Sequence, residues 1–264
     1  MMNLQAKKSL GQHFLTSKKA LNEIISAGNI QKGENILEIG PGTGILTEAL
    51  LINGANVLAI EKDSRAIQLL NQKFQNFLQS GQLKLIEADI LTSDDYIPDT
   101  NFKVIANIPY YITGAILQKF LEGQKRPTKM VLLVQKEVAD RIVSKNGKES
   151  ILSISVKAFG LPKIISKVPK NAFNPPPSVD SAILAIENID PINFIKSKVE
   201  ISTFFKIIKS AFAHKRKYAI KNLEDFIPNT TKLQSVWQKL NINPKIRAEE
   251  IDISTWFSIA QEIQ

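Results

Sequence analysis

The sequence of 264 residues contains no cysteine. That excludes disulfides, thiolate-ligated zinc or iron–sulfur centres, and any cysteine nucleophile. Histidine is almost as scarce, with only His13 and His214, so a His-rich metal site is not expected. No stretch reaches the roughly 18 apolar residues of a membrane helix. The start, MMNLQAKKSLGQHFL, lacks the apolar core of an export signal and is neither Arg-rich nor Ser-rich, so a cytoplasmic location without membrane attachment is the expectation. What remains is 44% hydrophobic and 22% charged, enough to bury a core in one large domain or two modest ones. The formal charge of +9 suits a polyanionic partner, and equally suits simple solubility.

Along the chain, short apolar runs alternate with amphipathic segments. ENILEIG (34–40), VLAIE (57–61), LKLIEAD (83–89), FKVIANIPY (102–110) and MVLLVQ (130–135) predict buried strands. The segments 18–28, 45–55, 64–81 and 112–123 predict helices between them. This alternation implies a parallel sheet with helices on both faces. Residues 136–144 look helical, 150–160 fit either helix or strand, and 162–169 and 179–187 look like strands around the Pro175–Pro177 run. After Glu187 the pattern becomes helical. Residues 191–264 carry net +5 against +4 for the first 190, so the tail is the more basic part per residue. We divide the chain into 1–187 and 188–264.

The first strand runs into Gly40-Pro41-Gly42-Thr43-Gly44 and then a helix. Glycines let backbone amides approach a ligand, and a helix N-terminus favours a polar or anionic group there. The spacing is neither that of a dinucleotide fingerprint nor a P-loop, which would need a following Lys-Ser/Thr. Taken alone, the loop is equally a plain strand–turn–helix. Acids at the ends of the next two strands, Glu61 and Asp89, tip the reading to a nucleoside, since such acids accept hydrogen bonds from ribose hydroxyls or an adenine amino group.

Asn107-Ile108-Pro109-Tyr110 follows the fourth strand, at the carboxyl edge where such sheets bind ligands. The exocyclic amino nitrogen of a nucleobase is a poor nucleophile because its lone pair is delocalised. Two acceptors aimed at its hydrogens, the Asn107 side-chain oxygen and the Ile108 carbonyl, favour the pyramidal form. Pro109 stiffens the turn, and Tyr110 offers a stacking face. A lone tetrapeptide of this kind is as readily a βα turn with an Asn cap. Beside the glycine loop it points to amine chemistry.

With these blocks in view, the chain resembles the S-adenosylmethionine-dependent rRNA adenine N6-dimethyltransferases, the small-subunit (kasugamycin-sensitivity) type above all. The resemblance runs from about residue 7 to the C-terminus through KKSLGQHFL (7–15), LEIGPGTGILT (37–47), Glu61, EAD (87–89), NIPY (107–110), VQKEVADRI (134–142), FNPPPSVDSA (173–182), FAHKRK (212–217) and RAEEI (247–251). It implies a Rossmann-like class I methyltransferase sheet in 1–187 and a small helical rRNA-binding domain in 188–264. It implies S-adenosylmethionine as cofactor and, as reaction, dimethylation of two adjacent adenosines in a hairpin loop near the 3′ end of 16S rRNA. The partner is the small subunit or its precursor; no metal is implied, and a monomer is expected.

The resemblance also distributes roles. Gln12, His13 and Leu15 contact the cofactor from the N-terminal segment. Gly40 and Gly42 line its methionine part, Glu61 and Lys62 its ribose side, and Asp89 and Ile90 its adenine, while Asn107 touches cofactor and target. Ile108, Pro109 and Tyr110 complete the catalytic turn, and Phe173 packs on the target adenine opposite Tyr110. From charge alone, Lys215, Arg216 and Lys217 read as an RNA-backbone footprint ahead of a solvated face, and Lys7 and Lys8 as RNA contacts or an ordinary solvated terminus, whereas Phe204, Phe205, Phe212 and Tyr218 read better as packing of the small domain. Three alternatives stay open: a large-subunit (23S) adenine dimethyltransferase, a DNA adenine methylase, and a non-catalytic assembly factor that keeps the cofactor pocket.

Overall fold

A computed structural model describes residues 4–92 and 94–264, with the Lys8 side chain outside the described set. Its contacts divide the chain into two compact units, residues up to Ala139 with Leu161–Ile189, and Asp140–Gly160 with Asp190–Gln264.

The first unit is built on a sheet of seven strands. A two-residue strand β1 (Phe14–Leu15) precedes helix α1 (Lys18–Gly28), which Ser17 caps by accepting the Ala20 amide. Then follow β2 (Asn35–Ile39), α2 (Ile45–Ile52), β3 (Asn56–Glu61), α3 (Ser64–Lys73), α4 (Gln75–Gln79), β4 (Leu83–Glu87), β5 (Phe102–Asn107), α5 (Thr113–Glu122), β6 (Lys129–Gln135) and α6 (Lys136–Ile142), the last of which passes into the second unit at Asp140. After α7 (Ile151–Lys157), which belongs to the second unit, come β7 (Leu161–Val168), the short β8 (Phe173–Asn174) and β9 (Ser181–Glu187). The strand order is β4-β3-β2-β5-β6-β9-β7. The middle strands β2, β3, β5, β6 and β9 are buried along most of their length, as strands covered on both faces must be.

Chain order reverses between β2 and β5. From β2 the chain steps outward to β3 and β4, then returns to lay β5 on the other side of β2. The loops after β2 and β5 therefore diverge and leave a crevice at their carboxyl ends, the place where open α/β sheets bind ligands.

Three expectations need correction. The sheet is not wholly parallel: β9 pairs antiparallel with both β6 and β7. No helix crosses back between β7 and β9, and parallel neighbours need such a crossover. The single helix expected over 64–81 breaks at Phe74, whose buried ring closes α3 and opens α4. The second unit starts at Asp190 rather than 188, and it is not the tail alone, because Asp140–Gly160 belongs to it. Within that unit the Phe159 ring packs on Phe194 and Phe205, the Glu149 amide donates to the Glu249 carbonyl at 2.7 Å, and Lys148 pairs with Glu249. Residues 150–160, compatible with either element in the sequence, form α7, started by a Ser150–Ser153 capping box.

The rest of the second unit is helical: α8 (Ile192–Ser197), α9 (Ile201–Ala211), α10 (Ala219–Leu223), α11 (Thr230–Lys239) and α12 (Ile253–Ile263). Phe194, Phe204, Phe205 and Phe257 form its aromatic centre, and Phe212 sits against Trp256.

Candidate active site

A cavity of about 310 Å³ opens at the carboxyl ends of β2, β3, β4 and β5, walled by the loops after them and by the N-terminal segment Leu10–Phe14. The sequence-assigned Gln12, His13, Gly40, Gly42, Glu61, Lys62, Asp89, Ile90, Asn107, Ile108, Pro109 and Tyr110 all line it.

The glycine loop is shaped by what surrounds it. Gly42 has φ +58°, and a Cβ there would lie 3.0 Å from the Phe14 ring. Gly44 has φ +77° at the start of α2, where a Cβ would meet Leu70 and Phe74 at 2.6 Å. The Gly42 amide donates to Glu61 Oε2 at 3.0 Å, and the Asp63 amide donates to Oε1 at 2.9 Å. Glu61 is buried, and burial raises its pKa despite these bonds. A buried carboxylate with lone pairs left over, at the end of the strand beside a glycine loop, suits a ribose diol.

Asp89 faces the same space. Its Oδ2 accepts from Lys62 at 2.8 Å and its Oδ1 from the Leu91 amide at 3.0 Å, and the Lys62 bond lowers its pKa. Ile90 is buried beside it, an apolar wall for a base.

At the end of β5, Asn107 Nδ2 donates to the His13 carbonyl at 3.1 Å. That contact turns the amide so that Oδ1 remains as an acceptor. The half-buried Tyr110 shares a 2.6 Å hydrogen bond with Ser181, and its ring lies nearly parallel to the His13 ring at 5.9 Å. His13 Nδ1 donates to the Pro175 carbonyl at 2.8 Å, which engages that nitrogen in positioning.

Two assigned residues are not at the cavity wall. Leu15 is 3% and Phe173 4% exposed, and both lie in the hydrophobic core of the first unit. They oppose each other across the β1–β8 pair. Successive strand side chains face opposite ways, so β1 turns Phe14 to the cavity and Leu15 to the core. Phe173 faces the core with its partner. Gln12 does line the cavity, but its amide donates to Asp63 and its carbonyl accepts the Lys7 amide.

Sequence reading missed Phe14, Leu91 and Tyr111 on the wall. It also missed Glu38, next to the loop on β2. Glu38 is 1% exposed, and its Oε2 lacks a partner among the described residues. Burial pushes its pKa up to about 8, and hydrogen bonding from Thr47 offsets this only in part. An acid inside the apolar run ILEI was the available signal.

In the second unit, Lys215, Arg216 and Lys217 are exposed on the connection between α9 and α10. Buried Asn222 pins that connection by donating to the Ala211 and His214 carbonyls. Lys7 is exposed on the N-terminal segment, and the Lys8 side chain lies outside the described residues. Among the described residues, no group of three or more His, Asp or Glu could hold a metal, and no helix is long and apolar enough to cross a membrane.

Known proteins similar to this chain point to one family. A ribosomal RNA small subunit methyltransferase A of Dehalococcoides mccartyi is 39% identical over 98% of this chain and 89% of its own. One of Fusobacterium nucleatum is 36% identical over 98% of this chain and 97% of its own. Among solved structures, a dimethyladenosine transferase from Plasmodium falciparum superposes with TM-score 0.79 at 26% identity, over 94% of this chain and 96% of that one. A 23S rRNA methyltransferase shares the fold, with TM-score 0.74 at 22% identity over 95% and 99%. The family described as ribosomal RNA adenine dimethylase matches residues 3–264, and the chain belongs to it.

Proposed function

We propose that the protein transfers methyl groups from S-adenosylmethionine to N6 of two adjacent adenosines near the 3′ end of 16S rRNA, within the small subunit or its precursor. It acts as a monomer in the cytoplasm. The observation that carries this reading is the Asn107–Tyr110 turn beside the glycine loop, with the Asn107 oxygen left as an acceptor at the cavity.

The residues present fit the cofactor. Glu61 is a buried carboxylate suited to ribose hydroxyls, Asp89 and Ile90 offer a polar contact and an apolar wall to adenine, and Gly40 and Gly42 admit the methionine part without side-chain obstruction. When bound, the cofactor's sulfonium supplies an already activated methyl group. The protein's task is then to hold an amine in line and exclude water. Asn107 Oδ1 and the Ile108 carbonyl accept the two amino hydrogens, Tyr110 supports the unstacked base, and Pro109 keeps the turn rigid. The amine loses its proton to solvent after transfer, so no tuned base is needed. The second transfer starts from a methylated amine with one hydrogen left, so only one of the two acceptors is engaged and the first methyl group is turned aside. Lys7, Lys8, Lys215, Arg216 and Lys217 serve the RNA backbone.

The test is incubation with methyl-labelled S-adenosylmethionine and, separately, unmethylated small subunits, large subunits, naked rRNAs and adenine-rich DNA. Dimethyladenosine in small-subunit RNA, at up to two per particle, is the expected product. Label confined to large subunits or DNA overturns the target, and bound cofactor with no label anywhere leaves a binding factor.

A further inference from the structure

Beneath the cavity, Asp63 gathers more hydrogen bonds than a helix cap requires. Its amide donates to Glu61 Oε1, and its Oδ1 accepts from the Arg65 amide at 3.2 Å, as an N-cap does. In addition, Oδ1 accepts from Arg65 Nε at 3.0 Å and Oδ2 from Arg65 Nη2 at 2.6 Å. Oδ2 also accepts from Gln12 Nε2 at 2.9 Å. The other guanidinium nitrogen, Arg65 Nη1, donates to the Gln5 carbonyl at 3.2 Å. Asp63 and Arg65 thus hold the N-terminal segment at two points, Gln5 and Gln12. Immediately after Gln12 comes His13, whose carbonyl receives the Asn107 amide.

We infer that Asp63 is a positioning residue for methyl transfer: with Arg65 it ties Gln12 and the N-terminal segment in place, so that the His13 carbonyl orients the Asn107 amide toward the substrate amine. The geometry supports a tie of real strength. The Asp63 side chain is almost wholly buried and the Arg65 contact is two-pronged, the arrangement in which charged hydrogen bonds count most. The Arg65 bond holds the Asp63 carboxyl down at about 2, so the tie stays charged across the physiological range. The same residue touches Glu61 through its backbone, so the tie joins the ribose end of the cavity to the transfer end. The inference rests on the reading of Asn107 as the residue that receives the target amine.

Gln12→Glu is the discriminating variant. It keeps the side chain's size and the acceptor for the Lys7 amide, and it replaces the donor to Asp63 with an oxygen. Gln12 is only partly buried, so the fold tolerates the change. In the full-length protein without cofactor, deuterium uptake over residues 4–14 should rise while uptake over β5 holds. At saturating S-adenosylmethionine, kcat on small subunits should fall about tenfold, the loss expected for one charged hydrogen bond, with KM for the subunit unchanged. Gln12→Met keeps the length of the side chain without setting a second carboxylate beside Asp63, and it should raise uptake and lower kcat in the same direction. Unchanged uptake in both variants, or a risen uptake with unchanged kcat, would overturn the inference. Failure of the functional reading looks different, since the unsubstituted protein then leaves small subunits unlabelled.

Discussion

The Asn107 amide is fixed at one end and open at the other. Its nitrogen is bound by the His13 carbonyl, which leaves its oxygen as an acceptor on a residue of the cavity wall. Asn107→Ala removes that acceptor and leaves Glu61 and Asp89 in place. Methyl transfer should fall by roughly 10²–10³-fold, as for other single polar contacts made to a transition state, while cofactor binding survives at least in part. Single-turnover methylation and calorimetric titration of the cofactor separate the two effects; near-normal methylation would remove Asn107 from the reaction. Glu38 makes a claim of a different kind. Burial holds its folded pKa at about 8, above the ordinary glutamate value of 4.5. Between those values the unfolded chain has lost a proton that the folded chain keeps, so this group lowers folding stability as pH rises through that window. Glu38→Gln abolishes the contribution. The melting temperature of the variant relative to the parent should therefore climb from about pH 5 to about pH 8, and a flat difference would show that Glu38 ionises normally.

Elements were legible where local signals agreed. Helix α1 spans the segment 18–28 as read, because apolar spacing, the Ser17 cap and the turn at Asn29 coincide. The glycine loop and the Asn107–Tyr110 turn fall at the ends of β2 and β5, so the cavity could be expected from order alone. Legibility failed where the deciding contact lay far along the chain. Nothing local separates a continuous helix over 64–81 from one broken at Phe74, whose ring is used for packing. Helix α7 lies between two strands of the sheet in sequence, yet its unit is defined by phenylalanines from the tail. The β1–β8 pair joins segments more than 150 residues apart, and it decides that Leu15 and Phe173 face the core. Asp63 escaped notice for the same reason: a Ser, Thr, Asp or Asn before a helix reads as a cap, and its second use depends on Gln12.

At the scale of the molecule, the run of three adjacent cations and the cavity are carried by different units. The residues that fit the cofactor belong to the first, and the exposed Lys215-Arg216-Lys217 run belongs to the second. Three adjacent cations on a connection pinned by Asn222 cost electrostatic repulsion in the free protein, which a phosphate backbone would relieve. Surrounding aromatics do not compete for that role: Phe204 and Phe205 are buried in the helical core, and Tyr218 alone among the four is exposed. Lys215→Glu with Lys217→Glu should therefore weaken binding to unmethylated small subunits and leave cofactor affinity unchanged. Because each lysine at a phosphate releases about one counterion, the slope of log affinity against log salt should fall by roughly two. Binding measured at several salt concentrations decides the matter. A parallel loss at every concentration would make the substitutions a structural injury, and equal binding throughout would move the RNA contact elsewhere on the basic surface.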